Sequence, residues 1–328
     1  MKPLAADVPY RASPRDPTAT RGFAIFAWGV LGYNVLVILW GALVRATKSG
    51  AGCGGHWPDC NGQILPQLSQ IATVIEFTHR VMSGLALVAV VMLFAWALKT
   101  YTPNHPARRW ANLSLLFIIT EALIGAALVL FGYVAGDESV GRVYWLGTHL
   151  VNTFLLLASL ALTSWTAELP TPTGTPKIGL RGSVPWFGPA AGLVLVAMAG
   201  AVTALGDTLF PSHSLAEGIA QDFMGTAHFL IRLRVIHPML AVLVSCYVGF
   251  LAAQALFAKK KGSLHKLASA LLALLAAQLL AGVLTILWQA PVAMQLVHLF
   301  LADALWIVVV LFTREQVYRF SQVPTSHS

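Results

Sequence analysis

Glu76-Phe77-Thr78-His79 opens one long apolar stretch, and Arg234-Val235-Ile236-His237 opens another in the same way. From these two points the chain repeats itself. Glu121-Ala122-Leu123-Ile124-Gly125 matches Gln278-Leu279-Leu280-Ala281-Gly282, and His149-Leu150 matches His298-Leu299. His79 precedes Gly125 by 46 residues, and His237 precedes Gly282 by 45. Self-similarity on that scale marks a duplicated structural unit. Each copy carries two histidines set just inside apolar helices. Neutral imidazoles placed in such pairs grip a heme iron from both faces. A single buried histidine reads as a packed core residue; four at repeat-equivalent positions predict two bis-histidine heme sites.

A hydrophobic share of 57% with 10% charged residues and a mean hydropathy of +0.72 exclude an ordinary soluble domain. Eight apolar stretches, 23–45, 73–98, 111–133, 143–166, 185–206, 230–256, 266–288 and 291–313, are long enough for the about 20 helical residues that cross a hydrocarbon core. The first follows a polar tail containing Pro and Arg and has no small-residue cleavage site, so a retained helix is expected and not a signal peptide. The fold class is all-α integral membrane, with eight transmembrane helices arranged as two pseudo-symmetric four-helix bundles.

The basic residues set the orientation. Lys2, Arg11, Arg15, Arg21, Lys99, Arg108, Arg109, Lys177, Arg181, Lys259, Lys260, Lys261, Lys266, Arg314 and Arg319 fall on one side, and Arg45, Lys48, Arg80, Arg142, Arg232 and Arg234 on the other. The richer side faces the cytoplasm, which places both termini there in a multi-pass cell-membrane protein. A net charge of +8 then follows from topology and from attraction to anionic lipid heads, and calls for no nucleic acid. All four histidines come early in even-numbered helices, so the two sites lie side by side in the outer half of the membrane.

The expected organisation is a cytoplasmic tail (1–22), an N-terminal four-helix half (23–167), a cytoplasmic Pro/Thr/Gly-rich linker (168–184), a C-terminal four-helix half (185–314) and a cytoplasmic tail (315–328). Equivalent helices run in the same direction, which makes the repeat parallel. Each half encloses one site between its second and fourth helices. In the outer loop 207–229, Ser214-Leu215-Ala216-Glu217 is a capping box that predicts a short surface helix.

Glu76 shares a helix face with His79, and a carboxylate inside a spanning helix is a functional candidate by default. Its repeat mate is Arg234, so the two cavities differ chemically: one reactive, one for electron transfer. Glu121 lies deeper, where the second half has Gln278, and reads equally as a proton-path residue or a structural hydrogen-bond partner. Asp303 is open in the same way. Arg45, Arg80, Arg232 and Arg234 cluster at the outer helix ends, where guanidinium groups bind heme propionates or snorkel to the interface. Cys53 and Cys60, in Cys53-Gly54-Gly55-His56-Trp57-Pro58-Asp59-Cys60, favour a disulfide in an oxidising outer compartment. A metal site is the alternative there, short of the usual four ligands. Cys246 reads as a small packing residue. The other histidines have no repeat partners and are assigned no site role.

The pattern resembles heme A synthase, a membrane enzyme family of cytochrome oxidase assembly. The resemblance covers nearly the whole chain after residue 22. It rests on Gly41-Ala42-Leu43-Val44-Arg45-Ala46-Thr47-Lys48-Ser49-Gly50, on Trp57-Pro58-Asp59-Cys60-x-Gly62, on Glu76-x-x-His79-Arg80 and on the three later histidines. It implies oxidation of the C8 methyl of heme O to the formyl of heme A by successive hydroxylations. His79 and His149 would hold the substrate heme, and His237 and His298 a heme b for electron transfer. Glu76 would stand closest to catalysis, and the loop cysteines would match the family's outer disulfide. Some relatives carry a second cysteine pair in the last outer loop; Trp288 to Val292 has none. The implied partners are heme O, heme O synthase, membrane lipid and an electron acceptor or donor such as quinone. The competing reading is a di-heme b, quinol-oxidising electron-transfer protein without heme modification; a third is a heme carrier with transient ligands.

Overall fold

Among the described residues the chain is a run of α-helices joined by short loops. A computed structural model describes residues 10–11, 17–169, 171–172, 180–257 and 262–321. The helices are α1 (Pro17–Ala46), α2 (Ile71–Thr100), α3 (Pro106–Leu130), α4 (Val140–Thr166), α5 (Leu180–Leu209), α6 (Leu215–Phe223), α7 (Phe229–Arg232), α8 (Ile236–Leu256), α9 (Ser263–Leu287) and α10 (Val292–Ser321). A two-residue antiparallel pair, β1 (Tyr10–Arg11) with β2 (Thr171–Pro172), is the one sheet among them. Much of the predicted tails and of the linker lies outside the described residues, as do Lys2, Arg15, Lys177 and Lys259 to Lys261.

Among the described residues, eight helical segments are long and apolar enough to cross a membrane: Thr20–Ala46, Ile71–Thr100, Pro106–Leu130, Val140–Thr166, Phe187–Leu209, Phe229–Leu256, Ser263–Leu287 and Val292–Arg319. The fold is thus an all-α membrane fold, with the eight spans that the apolar stretches predict. Local chemistry moves some boundaries. The third span begins at Pro106 and not at 111, because proline suits the first helical turn and His105 caps it, accepting from the Ala107 N–H. The sixth is interrupted: α7 passes through a 3-10 turn, Leu233–Val235, before α8 starts. Pro238 supplies no N–H, and its ring crowds the carbonyl four residues back. The predicted surface helix is α6, capped by Ser214, whose Oγ accepts from the Glu217 N–H at 3.2 Å. Glu217 in turn accepts from the His213 N–H.

In the first half α1 packs on α2, α2 on α3, α3 on α4, and α4 back on α1; in the second, α5, α8, α9 and α10 close a ring in the same way. The rings meet through α1, α4, α5 and α10. The core lies toward this seam, with Phe23, Leu31, Leu93, Leu157, Leu160, Leu271, Val309 and Phe312 buried. Phe154 stacks on Trp306 with ring centroids 4.6 Å apart, and the indole N–H donates to the Phe154 carbonyl at 2.7 Å. Farther along, Glu315 accepts from the Trp165 indole and the Ser263 hydroxyl, each at 3.1 Å. By contrast α2, α3, α8 and α9 expose Leu85, Met92, Leu123, Leu243, Phe250 and Leu280. In water such a band would be an aggregation surface; against lipid tails it carries no such penalty.

Candidate functional site

Each of the four predicted histidines stands over a glycine of the helix before it. A Cβ built on Gly41 of α1 would lie 3.0 Å from His79 Cε1, and one on Gly125 of α3 would lie 3.8 Å from His149 Cε1. On Gly200 of α5 it would lie 2.8 Å from His237 Cε1, and on Gly282 of α9 3.3 Å from His298 Cε1. The missing side chain leaves room for the Cε1 edge of an imidazole close to a neighbouring backbone. Gly125 and Gly282 anchor the repeat in sequence. Gly41 and Gly200 escaped that reading, although Gly41-Ala42-Leu43-Val44 and Gly200-Ala201-Val202-Thr203 stand 38 and 37 residues before their histidines.

The ring geometry fits a heme. His237 and His298 have centroids 6.3 Å apart and planes at 89°. Metal–nitrogen bonds of about 2.0–2.1 Å on both sides of one ion put the two donor atoms about 4 Å apart and the ring centres roughly 6 Å apart. His237 Nδ1 lies 3.0 Å from the Val196 carbonyl, so that nitrogen carries the proton and Nε2 keeps its lone pair for a metal. Buried ring nitrogens of His79, His149 and His298 have no hydrogen-bond partner, a cost that an absent ligand or its second sphere would remove. Among the described residues no cluster of three or more His, Cys, Asp or Glu could hold a bare metal ion, so the histidine pairs suit a cofactor that brings its own equatorial ligands.

Glu76 is buried, with 3% of its surface exposed, and both carboxylate oxygens are engaged. Oε1 accepts from Arg80 Nη2 at 2.5 Å, and Oε2 accepts from the Cys53 N–H at 2.8 Å. Arg80 also donates to the His56 and Asp59 carbonyls. The loop carrying the disulfide therefore sits directly on Glu76. It approaches so closely that a Cβ on Gly52 would meet the Ala72 backbone at 2.4 Å. Thr73 Oγ1 donates to the Gly52 carbonyl at 2.8 Å.

The repeat mate Arg234 faces Asp207 at 3.2 Å and Asp222 at 3.9 Å, and donates to the Phe210 carbonyl. Burial pushes the Asp222 carboxyl up from its ordinary range, with Arg234 opposing the shift. Arg45 crosses the seam, donating to the Ala204 carbonyl at 2.8 Å, Thr208 Oγ1 at 3.1 Å and Gln295 Oε1 at 3.1 Å. Arg232 is exposed at the end of α7. Arg142, buried and donating to the Ala135 and Asp137 carbonyls, is a further guanidinium at this end that sequence reasoning gave no site role. Asp207, in the last turn of α5, and Asp222, near the end of α6, were missed too, since neither has an acidic counterpart in the first half of the repeat that would single it out.

Beside His149, Glu121 accepts from Asn152 Nδ2 at 2.5 Å and from the Thr153 hydroxyl, and its Oε1 lies 3.5 Å from His149 Nδ1. In the second half, Gln278 Nε2 lies 3.3 Å from His298 Nε2. Asp303 is fully buried, and neither carboxylate oxygen has a partner among the described residues.

Cys53 and Cys60 form a disulfide, with an S–S distance of 1.98 Å, which decides between the two sequence readings of that loop. Cys246 is free, and lies on the exposed face of α8 instead of packing inward as expected. Alkylation of isolated membranes without reductant, followed by peptide mapping, should label Cys246 and leave both loop cysteines unlabelled. Labelling of Cys53 and Cys60 would refute the bond.

The family model described as cytochrome oxidase assembly protein matches residues 24–310. A protein named protoheme IX farnesyltransferase, from Thermus thermophilus, is 47% identical over 294 residues, covering 90% of this chain and 48% of that protein. A heme A synthase from Halalkalibacterium halodurans is 43% identical over 127 residues, 39% of this chain and 42% of the relative. Another, from Lysinibacillus sphaericus, is 40% identical over 98 residues, 30% of this chain and 32% of the relative. At most, this chain spans about half the length of these curated relatives.

Proposed function

The chain belongs to the cytochrome oxidase assembly protein family, and from that premise we propose that it is an oxidoreductase of heme A formation, oxidising the C8 methyl of heme O to the formyl group. The observation that carries this reading is the set of four histidines seated against four glycines in two pairs, with the buried carboxylate of Glu76 one turn before His79 where the second half has Arg234 before His237. The first half takes the substrate heme O between His79 and His149. The second holds a heme b between His237 and His298, which when bound supplies one-electron transfer. Glu76, one turn before His79, holds or accepts a proton at the reacting edge. Arg80 and the Cys53 N–H keep its carboxylate in place. Arg45, Arg80, Arg232 and Arg234 supply positive charge toward the propionates, with both sites in the outer half of the cell membrane and both termini in the cytoplasm.

The Thermus relative bears on the source of substrate. It is named for farnesylating protoheme IX, and this chain accounts for 48% of it. We assign farnesyl transfer to the part of that relative that this chain does not match. A heme O synthase is then the natural partner here, handing on its product within the membrane. Pigment extraction from cells that make heme O tests the function. Co-expression of this chain should make heme A appear. If only heme b is recovered from both sites, the protein is a di-heme electron-transfer subunit and the proposal fails.

A further inference from the structure

The two halves differ most sharply behind their fourth-helix histidines. On α3, Glu121 and Gly125 are four residues apart and share a face; the face meets His149, with the glycine under the ring and the carboxylate 3.5 Å from Nδ1. On α9, Gln278 and Gly282 hold the matching positions against His298, with the neutral amide nitrogen 3.3 Å from Nε2, the other ring nitrogen from the one that faces Glu121 in the first half. Glu121 is not placed there by chance packing. Asn152 and Thr153, both on α4, hold its two oxygens, and Thr120 Oγ1 donates to Asn152 Oδ1 at 2.6 Å to fix the amide. Asn152 also donates to the Phe117 carbonyl at 2.9 Å. His149 Nδ1 has no hydrogen-bond partner, and the Glu121 carboxylate stands beside it at 3.5 Å.

We propose that Glu121 is a positioning residue that makes His149 the stronger donor of the two fourth-helix ligands and sets the iron of the first half at a lower potential than that of the second. This rests on the reading of His149 and His298 as axial ligands. An anionic acceptor behind Nδ1–H orients the ring, presents Nε2 to the metal and raises its basicity, as carboxylates behind metal-bound histidines do. A more basic ligand favours ferric over ferrous iron. Gln278 can orient His298 but lends it no charge. The assignment of its amide and of the His298 ring nitrogens follows the hydrogen-bond network; a flip of either leaves the contrast of charge unchanged. The consequence is a built-in downhill direction for an electron, from the first heme to the second.

Reciprocal exchange tests this without emptying either cavity. Redox titration of the purified, heme-loaded protein should resolve two low-spin components, assigned by their loss in His149→Leu and in His298→Leu. Glu121→Gln should keep the first component and raise its midpoint. A tenfold relative loss of ferric stabilisation corresponds to 59 mV for one electron. Gln278→Glu should lower the second component by a comparable amount, and Glu121→Asp should restore part of the first shift. The ferric g-anisotropy of each variant reports the same change in ligand strength. A first-half midpoint that stays within about a threefold equivalent, roughly 30 mV by the same constant, overturns the proposal, even where His149→Leu removes the signal. If His149→Leu leaves the first component intact, the ligand reading itself has failed, and this proposal with it.

Discussion

Replacing Glu76 by alanine is expected to reduce heme A output to below about one per cent of the parent while both halves still take up heme. Proton transfer by a placed side chain is typically worth about 100- to 10,000-fold in rate. The structure adds a structural duty to this carboxylate, because it ties Arg80 and the Cys53 N–H of the disulfide loop to α2. Alanine removes both functions at once. Glu76→Gln separates them in part: its amide oxygen still accepts from the Cys53 N–H, although its amide nitrogen cannot accept from Arg80, and it cannot take up a proton as a carboxylate does. If Glu76 serves chemistry, both variants lose heme A. If it only anchors the loop, Glu76→Gln retains near-normal output, which would sink the catalytic role. Heme content and the intact disulfide, measured on the same preparations, show whether the loop has moved.

The second large effect is the loss of an entire cofactor. His237→Leu or His298→Leu should abolish the low-spin signal of the second half, since one remaining imidazole cannot complete a bis-histidine sphere. Leucine keeps the apolar volume of these sites. The Gly200 and Gly282 faces have no side chain to clash with it, so the fold should persist and the first half should keep its heme. A full-strength bis-imidazole spectrum in both variants would show that other residues hold the iron. Heme A output should fall in the same variants, because the second heme is the proposed electron-transfer partner of the substrate site.

Reading the chain alone reached the helices, their number and the four histidines because those signals are periodic or repeated. Apolar runs of about 20 residues have one solution in a bilayer. A histidine that recurs at a fixed offset from a glycine records a contact that both copies must make. What stayed hidden was aperiodic. Nothing in the text pairs Arg234 with Asp207 and Asp222, which lie 27 and 12 residues before it. Nor does the text say that Arg45 reaches past its own half to Ala204, Thr208 and Gln295. Such partners are set by how helix ends meet, a tertiary outcome. The break between α7 and α8 has a local signal in Pro238, but it falls inside a continuous apolar stretch, 230–256. Glu121 was noticed without its role, since the choice between proton path and hydrogen bond needed the position of His149.

The seam has one more implication, in mechanical terms. His149 and His298 ride on α4 and α10, the helices clamped to each other by Phe154, Trp306, Trp165 and Glu315. His79 and His237 ride on α2 and α8, which among the described residues pack mainly within their own halves and expose apolar side chains. As jaws of the two proposed sites, α4 and α10 would then share one frame, and that shared frame would fix the spacing between the sites.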